Sequence, residues 1–243
     1  MTDQATSLQL AVHNAATFWC ALGETRGNQI VRRPGFLCVH GSERGGMRMM
    51  VLSAEPSSDD LAELTALIKG RADGKVTVED AFGVVDLSAL GLTSRQLPVM
   101  IRQPGAALPP SSLEVTRVEL PEQLEQAERT VVHGFALENF QPYQLGQVFP
   151  ASLLARDGID LFLISRDGTL AGACMTVADG SVGGVYWVTT LPEHRSRGVG
   201  RELMYAVLAY LKDQPVTLSA SRAGKPLYDS LGFTEIASST WWA

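Results

Sequence analysis

The chain has 243 residues, 45% of them hydrophobic and 19% charged, a composition that supports a folded globular protein and excludes a disordered one. Its 20 Lys and Arg stand against 26 Asp and Glu, a net charge of -6, which argues against a general binder of nucleic acid or of anionic membranes. Three scattered cysteines (Cys20, Cys38, Cys174) form no C-x-x-C pair, and four histidines (His13, His40, His133, His194) show no ligand spacing, so neither a disulfide framework nor a metal site is expected. The start, Met1-Thr2-Asp3-Gln4, lacks the basic-then-apolar layout of a secretory leader. No apolar run reaches about 18 residues, so the expected setting is the cytoplasm.

In chain order, the pattern predicts a helix around residues 8–22 and strands at Phe36–His40 and Met47–Leu52. Ser57-Ser58-Asp59-Asp60 caps a helix carrying Leu61, Leu64, Leu67 and Ile68, ended by Gly70. Strands follow at Lys75–Val78 and Leu97–Arg102. Residues 103–112, Gln-Pro-Gly-Ala-Ala-Leu-Pro-Pro-Ser-Ser, read as a linker. It divides the chain into an α/β domain over 1–105 and a second domain over 106–243.

The second part opens with a strand at Leu113–Leu120 and a helix from Pro121 with Leu124, Ala127 and Val131 inward. Residues 140–156 are irregular or helical. Strands at Asp160–Ser165 and Leu170–Val177 flank Arg166-Asp167-Gly168, a hairpin turn signal. Ala178-Asp179-Gly180-Ser181 is another turn. A central strand within Val182–Leu191, a helix over 200–212, a strand over 216–221 and a last strand near Thr234–Trp242 complete the order.

The segment between the central strand and its helix carries the chemistry. It holds Arg195, Arg197 and Arg201 with Gly198-Val199-Gly200 between them. Glycines let a backbone approach a ligand, a helix N-terminus offers unpaired N–H groups and a positive dipole end, and arginine forks suit phosphate. No Lys-Ser or Lys-Thr follows the glycines, which excludes a P-loop, and Leu203 stands where a dinucleotide fingerprint needs its third glycine.

The stretch from Arg195 to Gly200, R-x-x-G-x-G, resembles the pyrophosphate-binding motif of the GNAT superfamily of acyl-CoA-dependent N-acyltransferases. Pro226 to Phe233, P-L-Y-x-x-L-G-F, is similar to the end of that superfamily's acyl-CoA module, and Trp187 to Pro192 to its central strand. The resemblance covers residues 113–243. It implies a GNAT fold, an α/β architecture with a mixed, mostly antiparallel sheet flanked by helices. It also implies acetyl transfer from acetyl-CoA to a primary amine by direct attack, in a monomer or homodimer.

On the same resemblance, the amides of Ser196, Arg197, Gly198, Val199, Gly200 and Arg201 hold the pyrophosphate with the help of Arg195. The backbone of Val188, Thr189 and Thr190 pairs with the pantetheine arm, and the Val188 amide stabilises the oxyanion. Ser221 stands where many relatives have an Asn bonding the pantetheine. Tyr228 occupies the general-acid position, since a phenol with a pKa of about 10 can donate to a departing thiolate. Lys225 is a candidate for an adenosine phosphate.

The central strand holds no carboxylate to act as base. Glu138, His133 and Glu193 are candidates, as is a chain of waters. That gap keeps open a CoA-binding regulatory or scaffold protein without turnover, and within the enzyme class an O- or longer-chain acyltransferase. Cys174 is expected to be a small buried hydrophobe, and Trp241-Trp242 to pack.

Leu87 to Thr93, L-S-A-L-G-L-T, can be laid on Tyr228 to Thr234, Y-D-S-L-G-F-T. The first half then reads as a degenerate GNAT-like copy, giving two halves in tandem. Its helix opens on carboxylates instead of arginines, so it is expected to bind no CoA.

Overall fold

A computed structural model describes residues 4–71, 74–105 and 108–243. The first three residues and part of the linker reading, 106–107, lie outside them. Helix α1 (Gln4–Thr25) leads into strands β1 (Gln29–Arg32), β2 (Phe36–His40) and β3 (Met47–Val51). Helix α2 (Ser58–Gly70), β4 (Val76–Asp80) and β5 (Ser94–Arg102) follow. After β6 (Glu114–Arg117) come α3 (Pro121–Gly134), β7 (Ile159–Arg166), β8 (Thr169–Ala178) and β9 (Gly183–Thr190). The chain closes with α4 (Val199–Tyr210), β10 (Val216–Ser219), α5 (Lys225–Ser230) and β11 (Thr234–Trp242).

Two compact units emerge, one of Met1–Ile101 with Ser219–Ala243 and one of Arg102–Leu218. The last 25 residues therefore pack with the first hundred.

In the first unit the strand order is β1-β2-β3-β4-β11-β5. Alternate residues of β2 serve opposite faces. Leu37 and Val39 pack with Ala16 and Cys20 of α1, whereas Phe36 and Cys38 pack with Leu64 and Ile68 of α2. With both faces covered, β2 and β3 read as nearly continuous apolar runs. Strand β1 escapes the sequence reading because it is four residues long with polar ends, Gln29 and Arg32.

The overlay of residues 87–93 on 228–234 extends to backbone bonds. Leu90 and Gly91 donate to Leu87 and Ser88 at 3.0 and 2.9 Å, as Leu231 and Gly232 donate to Tyr228 and Asp229 at 3.0 and 3.1 Å. Gly91 and Gly232 share a left-handed backbone, φ 80° and 83°. The strands that follow, β5 and β11, pair antiparallel with each other from Ser94↔Trp242 to Ile101↔Thr234.

In the second unit the order is β10-β9-β8-β7-β6, with β9 and β10 parallel and the other pairs antiparallel. Helices α3 and α4 pack on β7, β8 and β9. The β7–β8 hairpin turns through Asp167 (φ 53°) and Gly168 (φ 73°), the two left-handed residues that a tight hairpin of this hand requires. Leu124, Ala127 and Val131 of α3 are buried, as are Leu203, Met204, Val207 and Leu208 of α4.

Among the described residues no helix is long and apolar enough to cross a membrane, and no three His, Cys, Asp or Glu side chains gather as metal ligands.

Candidate functional site

The register of β9 is broken on both sides. Beside β10 it has two partners only, Gly183↔Val216 and Gly184↔Thr217. From Val185 to Thr190 the strand has no register partner on that side. Beside β8 the pairs Thr189↔Ala173 and Tyr186↔Met175 leave Trp187 and Val188 opposite the single residue Cys174. This is a bulge, and Trp187 takes the left-handed backbone, φ 55°, that bulky residues avoid. Parallel partners diverge where a bulge adds twist, and the far half of β9 has no β10 register pair.

The turn after β9 runs through a short 3-10 segment, Pro192–His194, to Gly198, whose φ of 81° precedes α4. Among the described residues beyond its chain neighbours, no atom lies within 4 Å of where a Cβ on Gly198 would stand, so backbone conformation alone calls for glycine there. Arginines hold the carbonyl side of the turn. Arg195 donates from Nε to the Thr190 C=O at 3.1 Å and from Nη2 to the Gly134 C=O at 2.8 Å. Arg166 donates from Nη1 to the Arg197 C=O at 2.8 Å. What the turn leaves to a ligand is its N–H side, with the amides of Val199 and Gly200 opening α4 and lacking a carbonyl one turn back.

Arg195, Ser196, Arg197 and Arg201 are exposed, and Val199 is buried. The structure thus gathers Val188, Thr189, Thr190 and the 195–201 turn in one unit. It commits the Arg195 guanidinium to bracing the turn. His194 lies half-buried, with Nδ1 buried and unpartnered among the described residues.

Ser221 and Tyr228 belong to the unit that also holds residues 1–101. Ser221 Oγ accepts from the Gly224 amide at 3.1 Å, and the Ser221 C=O accepts from Lys225 at 2.9 Å, so the residue shapes the entry to α5. Tyr228 is buried on α5, its ring edge-on to Phe233 with centroids 5.8 Å apart. Lys225 pairs with Asp229 at 3.0 Å. The candidate bases His133, Glu138 and Glu193 are all exposed. Cys174 is buried, and burial pushes its thiol up, away from the thiolate a nucleophile needs. Trp242 joins the core and Trp241 lies beside Arg48 and Arg95, so both pack.

Three buried carboxylates, Glu79, Asp80 and Glu128, escaped the sequence reading, and Asp80 accepts from the amides of Phe82, Gly83 and Val85. Glu128 of α3 accepts from Tyr143 Oη (2.9 Å) and from the amides of Gly146 (2.8 Å), Val148 (2.6 Å) and Phe149 (3.1 Å). It fastens the irregular segment after α3. The signal was present, because Glu128 falls in the stripe of Leu124, Ala127 and Val131. Glu79 of β4 accepts from Arg48 Nη1 at 2.7 Å and from Trp19 Nε1 at 3.0 Å. The Arg48 guanidinium lies 4.1 Å from the Trp19 ring centre and 5.1 Å from that of Trp241. Burial raises the Glu79 carboxyl and lowers Arg48, and their mutual attraction opposes both shifts.

The α2 entry contrasts with that of α4. Ser57 Oγ accepts from the Asp60 amide at 3.1 Å, and Asp59 and Asp60 lie in the first turn. The cap occupies a terminal N–H and the charges repel an anion.

Comparison with known proteins adds a family to this geometry. Residues 122–241 match the family model described as an acetyltransferase (GNAT) domain. The mycothiol acetyltransferase of Thermobispora bispora is 42% identical over a match covering 32% of this chain and 31% of that protein. The match therefore spans about a third of that relative's length. A solved GCN5-related N-acetyltransferase from Kribbella flavida superposes with a TM-score of 0.62 over 94% of both chains, at 20% identity. A putative acetyltransferase from the GNAT family of Novosphingobium aromaticivorans gives 0.58 over 88% of this chain and 89% of its own, at 17% identity. At these identities the likeness speaks for the fold, a GNAT-like mixed sheet flanked by helices.

Proposed function

Residues 122–241 of this chain are a GNAT-superfamily acetyltransferase domain, and from that premise we propose that the protein moves an acetyl group from acetyl-CoA to a primary amine, on a small molecule or a peptide, by direct attack in a ternary complex. The observation that carries the reading is the opened β9. Its backbone runs without a register partner on β10 from Val185 to Thr190 and leads straight into a turn whose Thr190 and Arg197 carbonyls are held by arginines.

A pantetheine arm carries amides and can pair with such an edge as an added strand would. Ser196, Arg197, Gly198, Val199, Gly200 and Arg201 supply amides, dipole and charge for the pyrophosphate. Anion contacts of this kind are worth about 0.3–1 kcal/mol each, more when partly buried, so several together account for much of a micromolar affinity, roughly 8 kcal/mol.

In the proposed step the neutral amine nitrogen attacks the thioester carbon, and the Val188 amide, in the bulge, steadies the oxyanion. The C–S bond then breaks. Tyr228 gives its phenolic proton to the departing sulfur, and the amine proton leaves through water.

Tyr228→Phe preserves the edge-on ring contact with Phe233 and removes the proton. Turnover is expected to fall on the order of 10²-fold while acetyl-CoA affinity changes little, by thiol-release assay and calorimetry. Unchanged turnover removes Tyr228 from the step. The absence of any carboxylate from Val182 to Leu191 favours the rival reading, a CoA-binding protein without turnover. Acetyl-CoA binding with no thiol release across a panel of amines would establish it.

A further inference from the structure

The transfer reading leaves the rest of the acceptor unspecified, and an aromatic pair beside the bulge bears on it. Phe135, the residue that ends α3, is 44% exposed. Its ring stands edge-on to the half-buried Trp187 indole, with centroids 5.3 Å apart and planes at 87°. The backbone under the pair is held on both sides. Arg195 ties the carbonyl of Gly134, next to Phe135, and that of Thr190, three residues past Trp187, to one guanidinium. A Cβ on Gly134 would overlap Thr189 Oγ1, so α3 closes onto β9 with no space for a side chain. Two rings on such a base form a preformed apolar wall.

The strand supplies no charge to balance it. Gly183 to Thr190 reads G-G-V-Y-W-V-T-T, and Trp187 immediately precedes Val188, the proposed oxyanion residue. A charged tail on the acceptor finds no counter-charge on this strand. A flat apolar group finds an exposed ring edge and an indole.

We propose, resting on the transfer reading above, that Phe135 and Trp187 select the acceptor and that it is a primary amine bearing an aromatic or bulky apolar group. The test uses the full chain saturated with CoA and two probes, 2-phenylethylamine and ethylamine, by calorimetry. The aromatic amine is expected to bind at least about tenfold tighter than ethylamine. Phe135→Ala, a change at an exposed side chain, is expected to erase most of that difference while CoA itself binds as before, and Trp187→Leu also to erase the difference between the two amines. Equal binding of the two amines overturns the proposal, as does a preference that survives both substitutions.

The readout separates the two ideas. Selective binding without thiol release keeps the aromatic wall and removes acetyl transfer. Thiol release with no preference between the two amines keeps transfer and removes the wall.

Discussion

In the first unit the parallel pair β3 and β4 stays in register through four consecutive positions, Met47↔Val76 to Met50↔Glu79, whereas in the second β9 keeps two of its eight residues beside β10. The helices that follow differ in the same sense. α2 opens on a capping serine and two aspartates, α4 on a left-handed glycine among arginines. A strand edge already paired cannot accept a peptide-like arm, and a capped, acidic helix entry repels a diphosphate. The two units thus differ where a coenzyme would bind, while the matching turns at Gly91 and Gly232 both belong to the first. The seal of the first unit includes the charged pair at the end of β4.

The largest expected effect tests that seal. Glu79→Ala would leave the partly buried Arg48 between two indoles with no counter-charge, a change that costs about 3–5 kcal/mol for a fully buried pair and falls at the low end of that range here. Urea unfolding should show a loss of that size, with acetyl-CoA affinity unchanged once the folded fraction is matched. A loss below about 1 kcal/mol would mean that the pair does not hold the strands together.

Next in size is the contrast between the two helix entries. Arg197→Ala combined with Arg201→Ala removes two exposed guanidinium groups from the α4 entry and should weaken acetyl-CoA at least about tenfold by calorimetry. Arg195→Ala is a different experiment, because that side chain already bonds two carbonyls and its loss loosens the turn itself. Unchanged affinity in the double variant would erase the functional distinction between the α2 and α4 entries.

Much of this was legible in the chain because local chemistry decides it. Thr234–Trp242 emerges as read, and so does the Ser57 cap, because alternation and capping act over a few residues. The left-handed turn at Gly198 before α4 was legible from its glycines. What the sequence could not convey is where its polar atoms are spent. Arg195 reads as a phosphate fork, yet its bonds to Gly134 and Thr190 depend on the end of α3 meeting the end of β9, 61 residues apart in one case. The packing of β11 with β4 and β5 is invisible for the same reason, since nothing local tells a strand which sheet receives it. Glu128 and Glu79 were passed over because burial of a carboxylate is set by distant donors, Val148 and Phe149 in one case and Arg48 in the other.

The smallest expected effect is also the cleanest comparison, because the two units offer the same backbone feature with different roles. Gly91 and Gly198 have φ of 80° and 81°, and among the described residues beyond its chain neighbours neither has an atom within 4 Å of its would-be Cβ. Alanine at either position meets the same left-handed strain, about 1–2 kcal/mol, without a clash. Thermal or urea unfolding should therefore record similar losses for Gly91→Ala and Gly198→Ala. Only Gly198→Ala should weaken acetyl-CoA, by several-fold, because relaxing φ there turns the amides of Val199 and Gly200 away from their common direction. Should both variants bind acetyl-CoA as the parent does, the glycine before α4 serves the fold alone, and the functional contrast between the units rests on the opened strand.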